Sequence, residues 1–282
     1  MRSSSLAPSA LLLALLAGGC VSTSPPEVEP LGFVVPELLD AATHARSARR
    51  LQDLLVSLRD QGGVIAERQR FWAAFLLADL HARAADAPFL DEPGVAGRRP
   101  SRSAHLVVSV EHARLAADLL AHRTDDAVPA EVAQLAPAGL DGAREALEVL
   151  LAVGLSRLGF ESELERLLAR RPDLRDPDRA AETLGNIGVR PELAVELLSN
   201  ASRLLRARDE PSAYRFAILA IEGEERFGHA LPAAEAKELE TWILSGASVR
   251  FLCPRSQTEY VPGQKKSPVS GIPHYEYEPV ER

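Results

Sequence analysis

Two acids and an imidazole, Glu222, Glu225 and His229, stand at i, i+3 and i+7 of a helical stretch and so share one face. Carboxylate and imidazole are the ligand types of a transition-metal site in a helical bundle. Such sites use Glu-x-x-His and draw on several helices, however. The trio is therefore read as a solvated acidic face, with metal ligation as the weaker reading. His105 and His112, seven apart, also share a face and are read as surface or capping residues ahead of a ligand pair. Gly154-Leu155-Ser156-Arg157-Leu158-Gly159 has the composition of a nucleophile elbow, but with one residue too many. It also lies in helical sequence, whereas the elbow needs a strained strand-to-helix turn. With no phosphate loop, cysteine cluster or His-Glu-x-x-His helix in the chain, no catalytic residue and no cofactor are assigned.

The elements that would position these residues are helices. From Pro36 to Gly246 apolar residues recur at steps of three and four, as in Leu106, Val110, Ala113, Ala117 and Leu120, or Leu193, Leu197, Ala201 and Leu204. Phe71, Trp72, Phe75 and Leu76 make the most aromatic face. Pro36, Pro191, Pro211 and Pro232 each suit the start of a helix. The pattern predicts eight or nine helices, over 36–60, 64–86, 103–123, 139–158, 160–171, 178–186, 191–207, 212–228 and 232–245. Most connections are short, which favours antiparallel neighbours. The longer ones, 87–102 and 124–138, are rich in Pro, Gly and Asp, and the second divides the domain into halves 36–123 and 139–246.

After Gly246 the period changes. Val249–Cys253, Thr258–Val261 and His274–Glu278 read as short extended segments. The tail 247–282 either packs on the helices, the favoured reading, or lends Tyr275 and Tyr277 from one side of a strand to a partner. The expected fold class is thus all-α: stacked antiparallel helix pairs, as a short solenoid or irregular bundle, with a small extended or β C-terminal appendage. A hydrophobic content of 46% and a charged content of 26% are those of a globular chain. The net charge of -8 argues against a nucleic-acid partner.

Three resemblances add to this reading. Arg2, the apolar run Leu6–Leu16, and then Ala17-Gly18-Gly19-Cys20 resemble the lipobox of bacterial lipoproteins, with Ala17 where leucine is favoured. The run is too short to span a bilayer, which takes roughly 20 apolar residues. The resemblance implies a signal peptide over 1–19, lipidation at Cys20, a flexible tether over 20–35, and attachment to the membrane through lipid. Val21 in place of aspartate implies sorting to the outer membrane, facing the periplasm. Cys253 is then left without an intramolecular partner and is read as a buried thiol. Gly159-Phe160-Glu161-Ser162-Glu163-Leu164, with Leu167, Pro172 and Leu184-Gly185-Asn186, resembles parts of a tetratricopeptide repeat, though the 34-residue recurrence is not sustained. Leu197–Ala230 resembles helices of abortive-infection proteins of the HEPN class. Arg99 and His105 have the spacing of that class's nuclease pair, but an exported protein would meet no RNA.

The leading expectation is a non-enzymatic, lipid-anchored helical scaffold or adaptor that binds a protein partner in the cell envelope. The alternatives are a helical metal-binding or enzymatic lipoprotein and a HEPN-like helical protein. For the anchor, labelled palmitate should enter the wild-type protein, and Cys20→Ser should lose both label and salt-resistant membrane retention. Equal detergent partitioning of the two forms would count against it.

Overall fold

The computed structural model describes residues 40–87, 101–122, 138–246, 249–259, 267–272 and 277–281, together with positions 31, 126–129, 132, 133, 136 and 261. The signal sequence, Cys20, Arg99, Tyr275 and the expected tether lie outside the described residues, except that Leu31 of the tether is described and is buried in the core. The fold is all-α, with eleven helices and two short strands among those residues.

The second helix is the element the others cover. Preceded by α1 (Ala41–Ser57), α2 (Val64–Asp86) buries 14 of its 23 residues, including every position from Phe71 to Leu80. Phe71, Trp72 and Phe75 pack ring against ring at 4.7–6.2 Å, while Ala73, Ala74, Ala78 and Ala82 let neighbouring backbones approach. Helix α3 (Arg102–Ala121) lies along it, pinned where buried Ser109 donates to the Ala78 carbonyl at 2.7 Å. Helix α4 (Gly139–Arg157) packs on α3 and touches α2. It ends in a Schellman cap: Gly159 has φ +87°, its amide donates to the Ser156 carbonyl, and the Phe160 amide donates to the Leu155 carbonyl. The glycine pattern that superficially resembled a nucleophile elbow is this helix stop.

Three short helices follow, α5 (Ser162–Arg170), α6 (Pro172–Arg175) and α7 (Pro177–Asn186), the last two with proline at the first position. The C-terminal part is α8 (Pro191–Arg206), α9 (Ser212–Ile221), α10 (Gly223–Phe227) and α11 (Ala233–Gly246). The helix expected over 212–228 is broken at Glu222. Gly223 sits so close to α8 that a Cβ there would fall 2.4 Å from Val195 and 2.8 Å from the His229 carbonyl. Any larger residue at 223 would force Val195 and the His229 carbonyl to move.

Strands β1 (Val249–Leu252) and β2 (Glu278–Glu281) pair antiparallel, Val249 opposite Glu281 and Leu252 opposite Glu278. The second strand thus begins where the expected His274–Glu278 segment ends. Arg215 of α9 ties this region down, donating to the Tyr277 carbonyl and pairing with Asp178 of α7 at 2.8 Å. One apolar core runs through Leu77, Val153, Leu198, Ile218, Cys253 and Tyr277, so the two helical halves share it with the C-terminal segment.

Candidate metal centre

His44 and His105 occupy the same place in their helices. Each is the fourth residue after its N-cap, Asp40 for α1 and Ser101 for α3, and each amide donates to the cap residue's carbonyl. His81 comes from the last third of α2. Its position follows from the Ser109–Ala78 hydrogen bond: His105 lies one turn before Ser109, as His81 lies one turn after Ala78. That one registered contact sets the two imidazoles against each other, with Nδ1 to Nδ1 at 3.0 Å. On α1, His44, Ala48 and Leu51 form the buried face, at i, i+4 and i+7. Docking that face on α2 brings the His44 ring edge-on to both others, at 4.8 Å from His81 and 4.9 Å from His105.

One ligand nitrogen from each of the three residues lies within 4.8 Å of the others, and among the described residues this is the one group of three or more such donors. His44 and His105 are buried and His81 is partly so. His112, two turns beyond His105, stacks on His81 at 6.3 Å. Its Nδ1 meets the Val108 carbonyl at 2.8 Å. A proton held there leaves Nε2 as a free lone pair, the tautomer a second-sphere carbonyl imposes on metal-binding histidine.

Burial decides the charge of the group. It pushes the His44 imidazole down to about 4, helped by His105, and the His81 imidazole down to about 3, helped by His44, His105 and His112. His105 is lowered by burial as well. Two of the rings also sit at helix N-termini, where the macrodipole disfavours a cation. The trio is therefore neutral at physiological pH, the protonation state that offers lone pairs to a metal.

The other sequence-derived candidates are scattered. Glu222 is buried at the break between α9 and α10, Glu225 is exposed and His229 is half-buried, and they do not converge. His105 is 2% exposed and is neither a surface nor a capping residue. Tyr277 is 1% exposed, with its ring in the core, and so is not displayed for a partner. Cys253 is buried, as expected. Burial pushes its thiol up, but hydrogen bonds from Ser256 and Ser270 outweigh this and bring it down to about 6. His44 and His81 went unnoticed in the sequence. The available signal was that four of the chain's seven histidines fall on three consecutive helices, three of them on largely apolar faces.

Comparison with known proteins returns no significant match to any family model, curated protein or solved structure, so the site rests on its own geometry.

The titration has a definite sign. Free imidazole takes up protons near pH 6.5, whereas His44 and His81 resist protonation down to about 4 and about 3. Between those values the unfolded chain binds more protons, so stability is full above about pH 6.5 and falls as the pH drops below it. Thermal unfolding across that range should show this loss, and His81→Gln should flatten the profile. An unchanged slope in that variant would place the protons elsewhere.

Proposed function

We propose that this chain is a lipid-anchored helical protein of the bacterial cell envelope that binds a transition-metal ion through His44, His81 and His105. The observation that carries the reading is three neutral imidazoles, delivered by three helices, with their nitrogens within 4.8 Å of one another. Ligand nitrogens about 2.0–2.1 Å from a tetrahedral zinc ion stand roughly 3.3–3.4 Å apart, so the His81–His105 pair at 3.0 Å would open by a few tenths of an ångström and the wider separations, up to 4.8 Å, would close. An all-imidazole donor set suits zinc, copper, nickel or cobalt rather than magnesium or calcium. Three histidines leave further coordination positions for water, His112 or a ligand of the ion. Among the described residues no carboxylate or thiol joins the group. The finer architecture we propose is stacked antiparallel helix pairs with the β1–β2 pair as an appendage, and Cys20 as the lipid attachment that keeps the domain at the outer membrane, facing the periplasm.

Calorimetric titration of the metal-stripped protein with zinc, copper(II) and nickel(II) should give saturable binding of one ion per chain. Binding should persist toward about pH 5, below the pKa of free imidazole. His81→Ala or His105→Ala should weaken it by more than about 100-fold, beyond the loss typical of residues that only support a ligand. Glu222→Gln with Glu225→Gln should leave it unchanged. Absence of stoichiometric uptake, or equal uptake by the histidine variants, would refute the reading.

A second reading, the protein-binding adaptor, is favoured by a separate observation. Val107, Val110, Leu155, Leu158 and Phe160 line a groove of about 300 Å³ on the α3–α4 surface, with Glu111, Arg114 and Glu163 beside them. Phe160 is 61% and Val107 44% exposed. A half-exposed aromatic in a groove with charged residues beside it has the make-up of an interface anchor. On this reading Phe160→Asp should abolish cross-linking to an envelope partner with little change in melting temperature, while His81→Ala keeps the cross-link. Cross-linking indifferent to Phe160 would remove it.

A further inference from the structure

Two loops near the C-terminus repeat one another. Cys253-Pro254-Arg255-Ser256-Gln257 and Ser267-Pro268-Val269-Ser270-Gly271 share the order Cys or Ser, Pro, any residue, Ser, turn residue. In each, the fifth amide donates to the first carbonyl at 2.9 Å, Gln257 to Cys253 and Gly271 to Ser267. In each, the fifth residue is left-handed, with φ of 56° at Gln257 and 70° at Gly271. In each, the fourth amide donates back to the first side chain, Ser256 to Cys253 Sγ at 3.4 Å and Ser270 to Ser267 Oγ at 3.2 Å.

The four side chains at the first and fourth positions then meet between the loops. Cys253 Sγ lies 3.0 Å from Ser270 Oγ, and Ser256 Oγ lies 3.1 Å from Ser267 Oγ. Thr258 Oγ1 closes the group at 2.8 Å from Ser256 and 3.1 Å from Ser267, and the Tyr277 hydroxyl follows at 3.4 Å. Cys253 and Ser267 are buried.

Paired turns with two residues between donors are how structural zinc is held, by four thiolates or by thiolates and imidazoles. Here that spacing occurs twice, with the side chains converging, yet three of the four positions carry hydroxyls, which are not among zinc's usual ligands. We propose that the segment is a paired-loop cage of the structural-zinc type, in which hydrogen bonds among Cys253, Ser256, Ser267 and Ser270 replace the ion, and which accepts zinc once the three serines become cysteines. Sulfurs around a zinc ion stand about 3.8 Å apart, so the cage has drawn in by under an ångström around its hydrogen bonds. The donors differ in kind and in place from the histidine centre, so either assignment can fail without the other.

The test uses the full chain under reducing conditions, carrying Ser256→Cys, Ser267→Cys and Ser270→Cys, with cobalt(II) and then zinc as probes. The variant should take up one more equivalent of cobalt than the parent, with thiolate-to-cobalt charge-transfer absorption that the parent lacks and that zinc abolishes. Folding of the variant only when zinc is present supports the proposal equally. A folded variant without that absorption, or one that stays unfolded with zinc present, overturns it. In the otherwise unchanged chain, Cys253→Ser should reproduce the chemistry of Ser267 and keep the melting temperature within about 1 °C, whereas Ser267→Ala should lower it by about 2–4 °C or more. Indifference to Ser267→Ala would remove the hydrogen-bonded cage.

Discussion

The structure depends on α2 being enclosed. Along its ten consecutive buried positions, Phe71–Leu80, the one polar side chain is Asp79, which must be met by another element. Asp79 is met by Arg190, at the start of α8, at 2.5 Å. Asp86, the last residue, is met by Arg157, the last residue of α4, which also reaches Glu196 of α8 at 3.0 Å. Burial, with the charge of Asp86 nearby, pushes the Glu196 carboxyl up to about 8. His81 is met by His105 and His44. The ion pairs bind the C-terminal half to α2, and the imidazoles bind α1 and α3 to it.

Much of the fold was legible in the sequence because most helices are amphipathic. Leu193, Leu197, Ala201 and Leu204 do bury one face of α8, Pro191 does open that helix, and Pro211 and Pro232 stand immediately before α9 and α11, while Pro36 lies outside the described residues. The departures have local causes. The 212–228 period carries through Gly223, beside the break at Glu222, and the period does not reveal that Val195 comes too close there for any Cβ. The extended C-terminal segments were visible as a change of period. That Tyr277 is folded into the core was not, because burial of an isolated aromatic depends on what lies above it.

The histidine site was hidden for a different reason. Metal motifs are recognisable when two donors share a helix turn or a tight loop, as Glu222 and Glu225 do. Residues 44, 81 and 105 come from three helices, and it is the packing of α3 along α2, in the register that Ser109 and Ala78 mark, that makes neighbours of two of them. The repeated loops escaped notice because the pattern of interest is one of spacing, with oxygen in the places where sulfur would have drawn attention.

Helix α1 is attached by a narrow face: His44, Ala48, Leu51 and, just past its end, Leu58 are its buried contributions, while Val56 is 69% exposed. An ion shared by His44, His81 and His105 would fasten the first turn of that helix to its two neighbours. Occupancy of the site and docking of α1 would then be a single linked equilibrium, each favouring the other by the same free energy. Among the described residues, only Leu31, itself part of the core, precedes the first turn of α1 and its cap in the chain. On the proposed lipid attachment at Cys20, a change in metal level would be felt first at the end of the molecule nearest, along the chain, to that attachment.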